Sequence, residues 1–363
     1  MIMYKKPNRF LVMLRLFLII ILSIWLVIFI AHKILTHFEL KYLEKEGIYN
    51  PVSVGEYDLN VYLCGNENGK HTLVGMSGQG VNTYSMGLKA TVDRFASDNR
   101  IAIVDRAGYG LSDSTTVPQT VEQVVEDYRT ALKKAGCKAP YILIPHSIGG
   151  LYATYWQSVY PDEIEGMFIL DGSLVSEEDY FYYDSAHELF LTALCNTGLQ
   201  RVLHDAMKGE ISWRNLTLKQ QKAADIMEMH STYTFSQHSE SVLMEENFAK
   251  TVSVMTATSS PKMYIYAMPS TPEEVREYLE YKNESYRSAG KEPPYDMSDT
   301  EMIQQKTDEF IDADVDRTLY TSSYCNNLGN CKIRKVGGIH NIYKQKPDEL
   351  AALLAELIEA TEK

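Results

Sequence analysis

A chain of 363 residues with 45% apolar and 23% charged side chains can bury the core of one large folded domain and carry insertions. Its formal charge of −13 is uneven, with +4 on residues 1–46 and −17 on the remainder. So acidic a body repels a phosphate backbone, which argues against nucleic acid as a partner. Five scattered cysteines are too few for a disulfide framework.

In chain order, residues 1–9 form a basic tail, with Lys5, Lys6 and Arg9, ahead of an apolar run at 10–31 that is interrupted only by Arg15, Ser23 and Ala31. A helix of that length spans about 33 Å at ~1.5 Å per residue, enough for a hydrocarbon core of about 30 Å. Arg15 lies near one end, where it can snorkel, and Trp25 lies nearer the other. The rival reading is a cleaved signal peptide. It needs a shorter apolar region and small residues before the cut, whereas this run ends in Ile28-Phe29-Ile30-Ala31. The expectation is an uncleaved single-pass anchor in the cell membrane. The basic flank puts the amino terminus in the cytoplasm and the body outside. Residues 32–50, polar over Thr36 to Glu46, read as a stalk.

From Pro51 the pattern alternates. Residues 51–54 and 57–64 suggest two antiparallel strands. Short apolar runs at 71–76, 100–105, 141–145, 166–170, 262–268 and 331–336 suit strands buried on both faces of a parallel sheet. Residues 120–135 place Val121, Val124, Val125, Tyr128 and Leu132 on one helical face, with Gly136 past the end. Residues 347–361 repeat the pattern with Leu350, Leu353, Leu354 and Leu357 behind Pro347. Strands alternating with helices indicate an α/β, doubly wound sheet. Two stretches break the alternation: a Tyr-, Met- and Leu-rich, mostly helical one at 174–260, and an acidic one at 271–330 with a loop at Pro293-Pro294. The expected organisation is a core at 51–173, a helical cap at 174–260 and the rest of the core at 261–363. Cys325 and Cys331 bracket a short loop and are close enough in sequence for a small disulfide.

The chemically informative segment is Tyr141-Ile142-Leu143-Ile144-Pro145-His146-Ser147-Ile148-Gly149-Gly150, a buried strand leading into a helical run. A Ser at a sharp strand-to-helix turn presents its hydroxyl above the sheet edge, and the crowded turn needs small residues two positions either side. Gly149 supplies one of them, and Pro145 stands where Gly is usual. The Ile148 N–H then opens a helix and is placed to bind an oxyanion.

Four blocks together resemble the α/β-hydrolase superfamily over roughly residues 51–363, apart from the insertions. Met76-Ser77-Gly78-Gln79-Gly80 is similar to the His-Gly loop after the third strand, with Ser77 in place of the common His. By that match the Gln79 backbone N–H is a second oxyanion donor. Asp105-Arg106-Ala107-Gly108-Tyr109-Gly110-Leu111-Ser112 resembles the loop after the fourth strand. The elbow is the third block, and Gly337-Gly338-Ile339-His340 is similar to the block that carries the catalytic His. The resemblance implies an eight-stranded, mostly parallel sheet with helices on both faces and a helical cap. It further implies a serine hydrolase with Ser147 as nucleophile and His340 as base, working without metal or organic cofactor. The family's usual acid follows the seventh strand, where Glu273 and Glu274 are the first carboxylates. A family variant places it after the sixth, where Asp171 stands. His146 is expected to pack beside the elbow, and His187, His204, His230 and His238 lack metal-like spacing.

The expected substrate is a small ester or short peptide. Tyr180-Phe181-Tyr182-Tyr183 with Leu189, Phe190, Leu191 and Leu194 suggest either an apolar pocket or ordinary helical packing. A non-catalytic binding module of the same fold is the alternative from a different class.

Overall fold

The computed structural model describes residues 8–176, 189–192, 195–202, 216–288 and 290–363. Tyr180, Phe181, Tyr182, Tyr183, His187, Leu194 and His204 lie outside the described residues.

Helix α1 (Arg9–Lys45) is followed by strands β1 (Pro51–Ser53), β2 (Asp58–Gly65) and β3 (Thr72–Met76). Then come α2 (Tyr84–Val92), β4 (Arg100–Val104), α3 (Val121–Lys134), β5 (Tyr141–Pro145), α4 (Gly149–Val159) and β6 (Ile164–Leu170). Between β6 and β7 (Lys262–Ala267) lie α5 (Leu218–Ser231), α6 (Phe235–Val242) and α7 (Met244–Val254). The chain ends with α8 (Pro272–Ser288), α9 (Thr300–Leu328), β8 (Cys331–Val336), α10 (Ile342–Gln345) and α11 (Pro347–Thr361).

The strands form one sheet in the order β1-β2-β4-β3-β5-β6-β7-β8. The β1–β2 and β2–β4 pairs are antiparallel and every later pair is parallel. Helices cover both faces, so β3, β5 and β7 bury every side chain, which is why they read as continuous apolar runs. One core packs α3 and α4 on the sheet through Val125, Tyr128, Tyr152 and Trp156. The other packs α2 and α11 through Leu88, Val92, Leu354 and Leu357. The β8 edge carries Lys332, Arg334 and Lys335, which pair with Glu356 and Asp314 and blunt its free side.

The local signals behave as their chemistry requires. Thr120 caps α3 by accepting from the Gln123 N–H at 3.2 Å, and Gly136 ends that helix at φ 77°.

Three segments differ from the sequence reading. Residues 32–45, expected as a stalk, are the last turns of α1, because nothing breaks a helix before Gly47. Leu43 and Ile48 are buried in the α2/α11 core, so this end is docked against the domain. Residues 271–330, read as polar with a central loop, fold into the long helices α8 and α9 around that loop. Cys325 and Cys331, offered as a disulfide, are both free thiols.

One buried ion pair fastens α6 to the core. Arg106 and Glu240 are each 2% exposed and meet at 2.9 Å. Tyr152 donates to the same carboxylate at 2.7 Å, as does Tyr109. The guanidinium also lies 4.2 Å from the Tyr109 ring centroid. Burial opposes a charged Arg106, but Glu240 together with Tyr109, Tyr128 and Tyr152 outweighs it and raises the guanidinium pKa. Removing one partner strands the other charge. Glu240→Ala is therefore expected to destabilise the domain by roughly 3–5 kcal/mol. The lowered denaturant midpoint measures that loss, and an unchanged midpoint would show that the pair does not hold this insertion to the core.

Candidate active site

The loops that follow β3, β5, β6 and β8 converge at one end of the sheet. After β5 the ladder passes Pro145, which has no N–H, because the His146 N–H donates to the Met76 carbonyl at 2.9 Å. Ser147 then takes φ 53°, a left-handed conformation that a side-chain-bearing residue adopts only under constraint, and α4 begins at Gly149. The turn is as tight as the sequence pattern demands. A Cβ on Gly149 would stand 2.7 Å from the Met76 carbonyl oxygen, and one on Gly78 would stand 2.9 Å from the Ser147 Cβ.

Gly78 belongs to the loop after β3, which Arg106 holds from beneath. Its guanidinium donates to the Ser77 carbonyl at 2.5 Å, the Ser77 hydroxyl at 2.9 Å and the Gly78 carbonyl at 3.4 Å. The Gln79 side chain donates to Ser241 of α6 at 2.8 Å, so the same insertion holds this loop twice. Among the described residues, the backbone N–H groups of Gln79 and Ile148 donate to no protein acceptor. Both belong to turns that flank Ser147.

Asp171 follows β6, at φ 47° and 2% exposed. Its Oδ2 accepts from His340 Nδ1 at 2.7 Å, and its Oδ1 accepts from the Ala267 N–H at 3.1 Å and from Arg317 at 2.5 Å. In a neutral imidazole, an Nδ1–H committed to Asp171 leaves Nε2 as the acceptor. The His340 side chain is about half exposed. Its carbonyl accepts from His146 Nε2 at 2.9 Å, and the two rings lie 4.7 Å apart. His146 is fully buried. Burial first, then the nearby His340, lowers its pKa to about 3, so it stays neutral and acts as a packing donor.

The structure therefore brings Ser147, Asp171, His340, Gln79 and Ile148 to one place. Among the described residues, no hydrogen bond joins Ser147 to His340. Glu274 packs against Gly337 in the loop that carries His340, but neither it nor Glu273 is bonded to the His340 ring. Glu274 accepts from the Ser270 N–H at 2.7 Å and the Thr271 N–H at 3.2 Å, which makes it a cap at the start of α8, and Glu273 is exposed.

Arg317 is the residue that sequence reasoning missed. It lies in the acidic run Asp312-Ala313-Asp314-Val315-Asp316 on α9, and its partner is 146 positions away, so no local signal marks it. The guanidinium sits 4.8 Å from the Tyr266 ring centroid. Burial alone would raise the Asp171 pKa, but the bonds from His340 and Arg317 outweigh it and hold the carboxyl below its usual range. A carboxylate depressed in this way stabilises the fold above its unfolded pKa, about 3.9, and that contribution disappears as pH falls through the folded value. Removing Arg317 lets the folded value rise, so the contribution is lost at higher pH. Arg317→Ala is expected to shift the acid-unfolding midpoint upward relative to the parent chain, as followed by far-UV circular dichroism. Superimposable acid transitions would show that the pair carries no stability.

Comparison with known proteins agrees with this fold. A family model described as serine aminopeptidase, S33, matches residues 73–254, half of the chain. The uncharacterised protein YbdG of Bacillus subtilis is 39% identical over 152 residues, which is 42% of this chain and 46% of that protein. An uncharacterised vacuolar membrane protein of Saccharomyces cerevisiae is 34% identical over 73 residues, 20% of this chain and 11% of that one. The matched stretch thus spans less than half the length of these curated relatives. Among solved structures, the enol-lactonase of Burkholderia xenovorans superposes with a TM-score of 0.54 at 13% identity, covering 85% of this chain and 100% of that one. An esterase of Exiguobacterium antarcticum gives 0.53 at 12% identity, covering 86% and 99%. At these identities the likeness is one of fold.

Proposed function

The chain belongs to the serine aminopeptidase family of α/β-hydrolases, and from that premise we propose that it cleaves an ester or amide bond of a small molecule or short peptide through an acyl-enzyme on Ser147. The observation that supports this most is the positive φ of Ser147 at the β5–α4 turn, beside a His340–Asp171 pair at 2.7 Å. Backbone strain of this kind persists only where the surroundings enforce it, and here the loops after β3 and β6 do so.

In the proposed cycle His340 Nε2 takes the Ser147 proton while Oγ attacks the substrate carbonyl carbon. The oxyanion lies between the N–H groups of Gln79 and Ile148. His340 returns the proton to the departing alcohol or amine, which leaves the acyl group on Oγ. Water then attacks with His340 again as base, releasing the acid and restoring Ser147. Asp171 keeps Nδ1 protonated, orients the ring and stabilises the imidazolium. Ester and amide substrates share this cycle and differ only in the leaving group.

The membrane assignment belongs to the same reading. The apolar part of α1 is exposed throughout residues 10–27, as a span facing lipid would be, and we place the domain outside with the amino terminus in the cytoplasm.

A fluorophosphonate probe tests the nucleophile. The folded parent chain is expected to label and Ser147→Ala to stay unlabelled. A folded parent that does not label would favour a binding module. Asp171→Asn is expected to keep the fold and lower turnover by up to about 10⁴, since the imidazole would take the wrong tautomer. Glu273→Gln and Glu274→Gln should leave turnover nearly unchanged. A collapse in either, with Asp171→Asn active, would move the acid to the turn after β7.

A further inference from the structure

The reading of α1 as a simple tether leaves one contact unexplained. Trp25 Nε1 donates to Thr197 Oγ1 at 2.6 Å, joining a residue within the apolar run to the insertion between β6 and β7. Trp25 lies six positions before the end of that run, about 9 Å along a helix. Leu26, Val27 and Ile30, on the following turns, are exposed. If lipid covers them, it reaches past the level of Thr197.

The contact is part of a continuous seam. Gly198 packs so closely on α1 that a Cβ there would stand 2.5 Å from the His32 Cβ. Arg201 donates to His32 Nδ1 at 2.8 Å and to Thr36 Oγ1 at 3.1 Å, and it forks onto the Glu39 carboxylate at 2.8 and 2.5 Å. Residues 197–201 therefore follow α1 from Trp25 to Glu39, with no stalk between. Just upstream, the described residues Leu189 and Phe190 are 49% and 62% exposed. Phe190 is seven positions from Thr197, no more than about 25 Å of chain. That separation keeps Leu189 and Phe190 close to the apolar part of α1 that Trp25 marks, within reach of a headgroup layer about 5–8 Å thick.

We propose that the β6–β7 insertion docks into the interfacial layer of the bilayer that α1 spans, with Leu189 and Phe190 entering the headgroup–acyl boundary and the Trp25–Thr197 and Arg201–Glu39 contacts fixing the depth. The partner is a lipid surface. Amphipathic elements bind such a surface through apolar side chains at this boundary. The seam supplies what a lone apolar patch lacks, because it fixes where the patch sits relative to the membrane. The proposal rests on α1 being a span and is independent of the assignment of Ser147.

The test uses the full chain in phosphatidylcholine vesicles, with Phe190→Trp providing the signal and the parent chain subtracted for Trp25, Trp156 and Trp213. The expected result is loss of the added emission when the lipid acyl chains carry bromine, with aqueous iodide leaving it intact. Leu189→Trp repeats the measurement should the first variant fold poorly. Added emission that iodide quenches and bromolipid does not would overturn the docking. Carbonate extraction of the parent separates the two premises: a chain that stays with the vesicles upholds the span, and one that washes off overturns span and docking together. Fluorophosphonate labelling of the same variants reads Ser147 separately.

Discussion

The backbone of Ser147 is the constraint on which the rest of this end of the molecule depends. A left-handed φ of 53° on a residue with a side chain costs of order 1–3 kcal/mol and relaxes unless its neighbours forbid it. They forbid it from several directions. The Ser147 N–H donates to the Leu170 carbonyl at 3.4 Å, and its own carbonyl accepts from the Ser173 N–H at 2.8 Å, which binds the elbow to the loop after β6. Gly78 and Gly149 leave no room for movement on the other side, toward β3. Those two bonds bracket Asp171, which lies between Leu170 and Ser173 and is strained in the same way at φ 47°. Two strained residues on adjacent strand ends, stitched to each other, make one rigid unit.

That unit is supported from both insertions by buried charge. Arg106 carries the loop after β3 and is held by Glu240 of α6, while Asp171 is held by Arg317 of α9. Arg suits both places, because its planar fork donates to several acceptors at once. Arg106 reaches two carbonyls, a hydroxyl and a carboxylate, which a lysine ammonium could not match in geometry. A buried pair adds little net stability over an apolar pair of the same shape, but breaking it is costly, so such pairs specify geometry more than they add stability. The insertions therefore take part in forming the site.

What was legible in the sequence follows from which interactions are local. Strands β3 to β7 were marked by apolar runs, because burial on both faces leaves no alternation to misread. Strand β8, read the same way, is instead a half-exposed edge strand carrying Lys332, Arg334 and Lys335. Helices α3 and α11 were marked by one apolar face together with Thr120 and Gly136 or with Pro347. The elbow was legible because a strand, a Ser and small residues must follow in fixed order. The choice between Asp171 and the two glutamates stayed open, since it depends on how two loops turn in space. In the structure Asp171 meets His340, and Glu274 caps its own helix. Arg317 and Glu240 were illegible for a related reason. Each looks like one more charge on a polar helix, and only contacts 146 and 134 positions away make them anything else. The docked end of α1 was missed because polar composition after an apolar run suits a stalk and a packed helix equally.

The docking of α1 connects these observations. Lys219 of α5 pairs with Glu46, and Lys222 lies 4.0 Å from the Tyr42 ring centroid, so the end of α1 is fastened to α5. His230, on the last turn of α5, contacts the Gly110 carbonyl at 3.2 Å, within the loop that also carries Arg106. From α6, Glu240 holds Arg106, which holds Ser77 and Gly78 beside Ser147. Each step is a direct contact between rigid elements. A membrane-spanning helix has its depth bounded by its apolar length and its tilt set by packing and interfacial anchors, whereas a flexible stalk would pass none of that order on. With α1 packed on the insertion, the orientation of the span becomes the orientation of the elements that frame the elbow. On the proposal that α1 spans a bilayer, the domain faces that membrane in one pose, and a substrate approaches Ser147 from a fixed direction.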